Sequence, residues 1–250
     1  MSFDQTPAYT LKHGRGKEGL RLLVVIPAYN EEASLPSTVR ELRSKAPEVD
    51  FVVVNDGSGD RTAEICRAEG YPLLDLSTNL GLTGAFQTGV RYAYEEGYDA
   101  VMQLDADGQH DPAFIRPMLE KMQKEGLDLV LGSRFLTGKR PHSLRMVGNA
   151  LIEGAIRLTT GKRVTDPTCG MRIYGRRVME HMAYASAARP EPDTIAFLIR
   201  CGAKTGESPV STREREAGVS YLSMGKSIRY MAQMGMNIFV LQWVLKKEKL

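Results

Sequence analysis

Residues 103–111, Gln-Leu-Asp-Ala-Asp-Gly-Gln-His-Asp, put three carboxylates within seven positions. The apolar run Ala100-Val101-Met102 precedes them and Pro112 follows. Carboxylates crowded like this repel one another unless positive charge sits among them. Asp105 and Asp107, spaced i, i+2 at the end of a buried strand, can face one hard cation, and Gln109 can add an amide oxygen. Mg2+ or Mn2+ completes its shell with water and phosphate oxygens, so the trio is a candidate metal site for a nucleotide diphosphate. Such an ion also stabilises the charge that builds on a departing diphosphate. Asp111, directly before proline, reads instead as a solvated helix cap.

Two other chemistries compete for this turn. A calcium loop of the EF-hand type needs glycine at its sixth position and a carboxylate at its twelfth. Counted from Asp105 these are His110 and Arg116, and a strand precedes the turn, so that reading fails. A haloacid-dehalogenase-type phosphatase would use Asp105 as nucleophile and Asp107 as acid. It needs more paired acids to hold magnesium, whereas Asp128, Asp166 and Asp193 stand singly downstream. A third alternative is a nucleotide-sugar-binding protein without turnover, against which the intact Asp105, Asp107, Gln109 and Asp166 argue.

The elements that must position these residues alternate. Residues 21–26 (RLLVVI) are a buried strand, and a helix follows from Ser34 as N-cap with Pro36 in its first turn. The stretch DFVVVN is a second strand, with Asp60 capping a helix over 61–69. YPLLDLS is a third strand, and a helix over 83–97 carries Phe86, Val90 and Ala93 on one face. DAVMQL is a fourth strand, Asp111-Pro112 opens another helix, and DLVLGS is a fifth strand. Residues 143–161 read as helix, 164–177 as a loop and short strand, 191–203 as helix and 206–218 as strand and loop. Alternating strands and helices imply a doubly wound, mostly parallel α/β sheet. Ligands of such sheets bind beyond the carboxyl ends of the strands. Here those ends are PAYNEE, NDGSGD, DADGQHD and GSRF.

The 250 residues, 42% hydrophobic and 25% charged, are ordinary for a globular chain. A net charge of +3 is too weak to argue for nucleic acid. Cys66, Cys169 and Cys201 form no CxxC pair, which disfavours a disulfide framework and fits a reducing compartment. Residues 1–19 are a polar tail without an apolar run, unlike a signal peptide. No stretch reaches the roughly 18 apolar residues of a spanning helix. Residues 238–245 are apolar apart from Gln242, with Trp243 and KKEK at their end. This segment suits a membrane interface, a partner or second subunit, or packing on its own domain.

Four strand-end motifs, VVIPAYNEEASL, VVVNDGSGDRT, NLGLTGAFQTG and LDADGQH, stand in the order and spacing of glycosyltransferase family 2, which the chain resembles. The resemblance implies a GT-A fold over residues 20–225, with 226–250 as an apolar helical extension. It also implies a UDP- or GDP-linked sugar donor, Mg2+ or Mn2+, and inversion at the anomeric carbon. It places Pro27, Tyr29, Asn30, Glu31, Asp56, Gly84 and Asp105 around the donor. Carboxylates such as Glu31 and Asp56 suit the N–H donors of a base edge, and Tyr29 can pack on the base or ribose. Gly81 and Gly84 serve either close approach of an anion or helix packing. PAYN lacks GxGxxG, which disfavours a dinucleotide site. One departure is Asn55, where the family commonly has aspartate.

The second half, through GSRFLTGKRPHSLRMVGN and VTDPTCGMRIY, is similar to the branch containing dolichyl-phosphate mannose synthases and bacterial polyprenyl-phosphate glycosyltransferases. The final segment is also similar to bacterial polysaccharide-assembly transferases. This implies transfer to a polyprenyl-phosphate or lipid-linked glycan acceptor in cell-envelope polysaccharide or glycoconjugate synthesis, in the cytoplasm or at the inner membrane face. Arg134, Arg145 and Arg213 match the acceptor-phosphate side, with Arg140 nearby, and Asp166 the acceptor-side acid. A hydroxyl acceptor would need Asp166 as base, whereas an ionised phosphate would need only cationic positioning. Asp166 could instead simply pair with Arg163 or Arg172.

Overall fold

Strand β1 (Leu22–Ala28, LLVVIPA) is buried along almost its whole length. A strand covered on both faces reads as a continuous apolar run. Strands β2 (Asp50–Asn55), β4 (Ala100–Gln103) and β5 (Leu129–Ser133) share this pattern. Side chains of β1 alternate between two apolar clusters, Leu23 and Val25 on one side, Leu22, Val24 and Ile26 on the other. Helix α3 (Gly81–Glu95) covers the first side with Ala85, Phe86, Val90 and Ala93. Helices α1 (Leu35–Lys45) and α4 (Ile115–Glu125) cover the second with Leu35, Val39, Leu42, Ile115, Met118 and Met122.

The computed structural model describes residues 19–137, 144–184, 190–211, 213 and 233–240. The remaining elements are α2 (Thr62–Ala68), β3 (Leu73–Asp75), α5 (Leu144–Thr160), β6 (Arg172–Gly175), α6 (Arg176–Tyr184), α7 (Pro192–Arg200) and β7 (Thr205–Pro209). A single 3-10 turn, Pro112–Phe114, precedes α4. The seven strands lie in the order β3-β2-β1-β4-β6-β5-β7. All neighbouring pairs are parallel except those of β6, which is antiparallel to both β4 and β5.

The mostly parallel α/β sheet is as the sequence implies, and the inserted β6 is the departure. The loop after α5 reaches the carboxyl edge beside Ser133 and Arg134 before β6 begins. The strand therefore starts at that edge and runs backward. Helix α6 was not legible as a separate element, because it follows β6 without an intervening turn. Helix α3 begins at Gly81, earlier than expected, and β3 shrinks to Leu73–Asp75. Ser34 occupies the N-cap position of α1 without a capping bond, since its hydroxyl turns to Glu31.

Residues 233–240 are helical, with Met234 and Ile238 in the cluster that holds Ile195, Leu198 and Ile199 of α7. This stretch of the expected extension thus packs on the domain, while Gln242, Trp243 and the lysine-rich end lie outside the described residues. Among the described residues no helix is long and apolar enough to cross a membrane.

Helix α3 approaches β1 through Gly89, where an added Cβ would stand 2.3 Å from Val25 Cγ1. Gly89→Ala should therefore destabilise the fold by about 1–3 kcal/mol. Urea unfolding would show it as a lower midpoint at unchanged slope. Val25→Ala in the same background should recover part of the loss.

Candidate active site

The loops after β1 and β2 are joined along the carboxyl edge. Asn30, in the left-handed region at φ 56°, donates its amide to Ser58 Oγ at 3.0 Å and accepts from the Gly59 amide at 2.9 Å. Asparagine tolerates this conformation better than most residues. The Glu31 and Glu32 amides donate to Thr62 Oγ1 and Asp60 Oδ2 at 2.9 and 3.1 Å. Asp56 is buried, and its Oδ1 accepts the Leu80 amide at the start of α3 at 2.7 Å. Gly57, at φ 66°, lies against Asn79 so closely that a Cβ would stand 2.8 Å from the backbone nitrogen. The loops after β1 and β2 are thus fastened to one another.

Expected donor residues occupy distinct places on this edge. Tyr29 is half exposed, Pro27 partly so, and the Glu31 carboxylate is hydrogen-bonded by Ser34. At Gly84 an added Cβ would meet Leu80 Cβ at 2.5 Å, and the Gly81 amide is taken by Asn79 Oδ1 at 2.9 Å. Gly84 thus lies against the side chain of Leu80, the half-exposed N-cap residue of α3. Asn55 donates to Asp75 Oδ1 at 2.7 Å, and Arg67 also binds Asp75. An aspartate at 55 would face another carboxylate, which accounts for the departure.

In the acidic turn each carboxylate has its own environment. Asp111 caps Ala113 at 3.0 Å as expected, yet it is not merely solvated. Lys45 and Arg213 reach its two oxygens at 2.9 and 2.8 Å, and both cations also bind Glu41. Partial burial would raise the Asp111 pKa, but hydrogen bonds from Lys45, the Ala113 amide and Arg213 overcome this and hold it at about 2. Asp107 Oδ1 accepts the Gln109 amide at 3.1 Å, and Asp105 Oδ1 accepts Gln103 Nε2 at 2.6 Å. Thr38 of α1 secures the turn by donating to the Ala106 carbonyl at 2.9 Å. Among the described residues no three His, Cys, Asp or Glu side chains converge as a metal cage. Asp105 and Asp107 fit a hard cation whose other ligands are water and a diphosphate. The Gln109 carbonyl accepts the Arg213 amide at 3.0 Å.

Asp166 is fully enclosed, with a side-chain exposure of 0%. Arg134 binds it bidentately, Nε to Oδ2 at 2.7 Å and Nη2 to Oδ1 at 2.9 Å, and its own amide adds a third contact at 3.1 Å. This carboxylate raises the Arg134 pKa further above its usual value. The partner is therefore Arg134 and neither Arg163, which pairs with Glu153, nor Arg172, which donates to the Cys169 and Pro167 carbonyls. Glu207 of β7 accepts the Thr165 amide and hydroxyl, each at 2.8 Å, and Asn149 of α5 donates to the Thr165 carbonyl at 3.3 Å. Thr168 bridges Asn149 and Asp166.

The fold brings Asp105, Asp107, Gln109, Asp166, Arg134 and Arg213 to one edge. Arg140 lies outside the described residues, as does the Arg145 side chain, although Arg145 belongs to α5. Sequence reasoning passed over Gln103, His110, Asn149, Thr168 and Glu207. Gln103 and His110 flank the acidic pair within the quoted turn, and that position was the available signal. Glu207 had none, because its target is distant in sequence.

A seven-stranded mixed sheet with two carboxylates at the exit of β4, between the joined β1 and β2 loops and an arginine-bearing loop, is the architecture of the GT-A class of sugar transferases. The chain belongs to glycosyl transferase family 2, whose model matches residues 23–183. It is 36% identical over 221 residues to undecaprenyl-phosphate mannosyltransferase of Micrococcus luteus, covering 82% of this chain and 89% of that one. It is 31% identical over 224 residues to polyprenol monophosphomannose synthase of Mycolicibacterium smegmatis, covering 84% and 83%. Glucosyl-3-phosphoglycerate synthase from Mycobacterium tuberculosis, in complex with Mn2+ and uridine-diphosphate-glucose, superimposes with a TM-score of 0.63 over 91% of this chain and 80% of that one. At 17% identity this is a likeness of fold. The chain is thus a nucleotide-sugar-dependent glycosyltransferase, and neither the phosphatase nor the non-catalytic alternative is favoured.

The depressed Asp111 pKa has a consequence for stability. A carboxyl whose folded pKa lies below its unfolded value stabilises above the unfolded value and loses that contribution as pH falls through the folded one. Asp111 should contribute fully above about pH 4 and lose this contribution toward pH 2. Asp111→Asn is expected to lower urea stability at pH 7 and to flatten its decline between those limits.

Proposed function

We propose that the chain transfers a sugar from a UDP- or GDP-linked donor to a polyprenyl phosphate, with inversion at the anomeric carbon and a divalent cation at Asp105 and Asp107. The observation that carries this reading is the closed Arg134–Asp166 pair at the acceptor edge. A general base must come within about 3 Å of the proton it removes. Both Asp166 oxygens are instead held by Arg134. A hydroxyl acceptor would lack a base here, whereas a phosphate is already ionised and needs cationic positioning. The names of the two relatives, an undecaprenyl-phosphate mannosyltransferase and a polyprenol monophosphomannose synthase, support the same acceptor class.

The step is one in-line displacement. An acceptor phosphate oxygen forms a bond to the anomeric carbon on the face opposite the leaving group. The bond from that carbon to the diphosphate oxygen breaks, and the nucleoside diphosphate departs with the electron pair. A bound Mg2+ or Mn2+ supplies charge compensation for the diphosphate. Asp105 and Asp107 hold that end of the site, the joined β1 and β2 loops hold the nucleoside, and Asp166 keeps Arg134 oriented toward the acceptor. Arg145 completes the cationic side in this proposal, whereas the Arg213 guanidinium is engaged by Glu41 and Asp111.

The reaction also requires access to a lipid, which we assign to peripheral attachment at the membrane. Val147, Leu151 and Leu158 share the outward side of α5, at 58%, 62% and 80% exposure, next to exposed Arg157 and Lys162. Asn149, on the opposite side of the same helix, holds the Asp166 loop. Apolar side chains beside cations suit an anionic bilayer surface.

Transfer from radiolabelled UDP- and GDP-sugars to polyprenyl phosphate, with the free polyprenol as control, tests the acceptor. Label is expected on the phosphate alone, and label on the alcohol would refute the reading. Asp107→Ala should abolish transfer in Mn2+. Asp166→Asn should raise the acceptor KM yet keep kcat above the hundredfold loss typical of a missing base.

Vesicle flotation reads the attachment separately. The full chain should rise with anionic vesicles, and Leu151→Asp with Leu158→Asp should leave it at the bottom. The double variant should still glycosylate a short-chain, water-soluble phosphate acceptor.

A further inference from the structure

His110 belongs to no role described so far. Its side chain is 8% exposed, and its Nδ1 atom has no hydrogen-bond partner. Leaving a buried polar atom unpaired costs about 1–3 kcal/mol, so a position that tolerates it calls for a reason. Asp105 Oδ2 lies 3.8 Å from Nδ1. That is too long for a hydrogen bond and short enough for a small rotation of either side chain to close. The other oxygen of the same carboxylate is already fixed, since Gln103 Nε2 donates to Oδ1 at 2.6 Å. Asp105 therefore stands between one donor that has engaged it and a second that has not.

The loop leading into β6 also borders the imidazole. A Cβ at Gly170 would lie 2.7 Å from His110 Cε1 and 3.1 Å from Nε2. Gly170 is not among the glycines with positive φ, so backbone conformation does not demand glycine there. The absent side chain leaves space for the ring. The same Cβ would be 3.7 Å from Asp105 Oδ2, which puts ring, glycine and carboxylate in one packed group.

We propose that His110 is a positioning residue for the cation site: Nδ1–H donates to Asp105 Oδ2 when the site is loaded, completing with Gln103 a two-sided clamp that sets the carboxylate's orientation, and Gly170 keeps the imidazole in reach. Carboxylate ligands of metal sites are commonly held by such outer hydrogen bonds. This inference rests on the reading of Asp105 as a cation ligand.

The test uses the full chain with UDP or GDP and Mn2+, and reads bound Mn2+ from the loss of the free-ion electron paramagnetic resonance signal. His110→Leu keeps bulk and removes the donor. It should weaken Mn2+ binding about tenfold or more, the usual effect of losing an outer-shell partner. Its melting temperature without Mn2+ should not fall, because the removed atom was unpaired. His110→Asn, whose amide nitrogen can take the place of Nδ1, should restore affinity to within a few-fold of the unsubstituted chain. Gly170→Ala, which displaces the ring, should weaken Mn2+ binding as His110→Leu does. Unchanged Mn2+ affinity in His110→Leu, or no recovery with asparagine, would overturn this inference alone. No nucleotide-dependent Mn2+ binding by the unsubstituted chain would overturn the cation reading as well.

Discussion

Negative charge gathered at one end of a sheet is the constraint around which this protein is organised. Asp56, Asp105, Asp107, Asp111 and Asp166 all stand at the carboxyl edge, where like charges destabilise one another unless they are compensated. The compensation differs at each position. Asp56 takes a backbone amide at a helix start, Asp111 takes two cations, and Asp166 takes a bidentate arginine. Asp105 accepts from the Gln103 side-chain amide, and Asp107 from the Gln109 backbone amide.

The compensating groups also hold the architecture together. Lys45 and Arg213 lie far apart in sequence and both bridge Glu41 of α1 to Asp111 of the β4 turn. The Arg134–Asp166 pair ties the β5 exit to the loop before β6, and Glu207 of β7 ties that loop to the sheet's far edge. A buried pair of this kind contributes little net stability unless its remaining hydrogen bonds are met. Here Thr168 and the Arg134 amide meet them. The same contacts that make the edge tolerable hold its loops in fixed relation, which suits a site that must position a sugar donor and its acceptor.

The roles of individual residues were legible to different depths. Asp105 and Asp107 were visible because strand, turn and charge coincide within a short window. At Gly84 the close neighbour is Leu80, one turn away, whose position was undetermined until the helix start was known. Asp111 was legible as a cap, but its ion pairs were not, since Lys45 and Arg213 come from opposite ends of the chain. His110 sat within the quoted turn and was passed over, because nothing local shows that its imidazole is enclosed by Gly170.

Hydrophobic periodicity and the polar strand ends determined the alternating elements, the mostly parallel sheet and the edge at which the acidic turns gather. These depend on interactions within a few residues and on rules common to all such sheets. Only the tertiary structure decided that β6 runs backward between β4 and β5, that Arg134 closes on Asp166, and that Glu207 supports their loop. Such pairings join atoms contributed by distant segments, and the order of strands across the sheet, which local sequence does not encode, sets which of those segments meet.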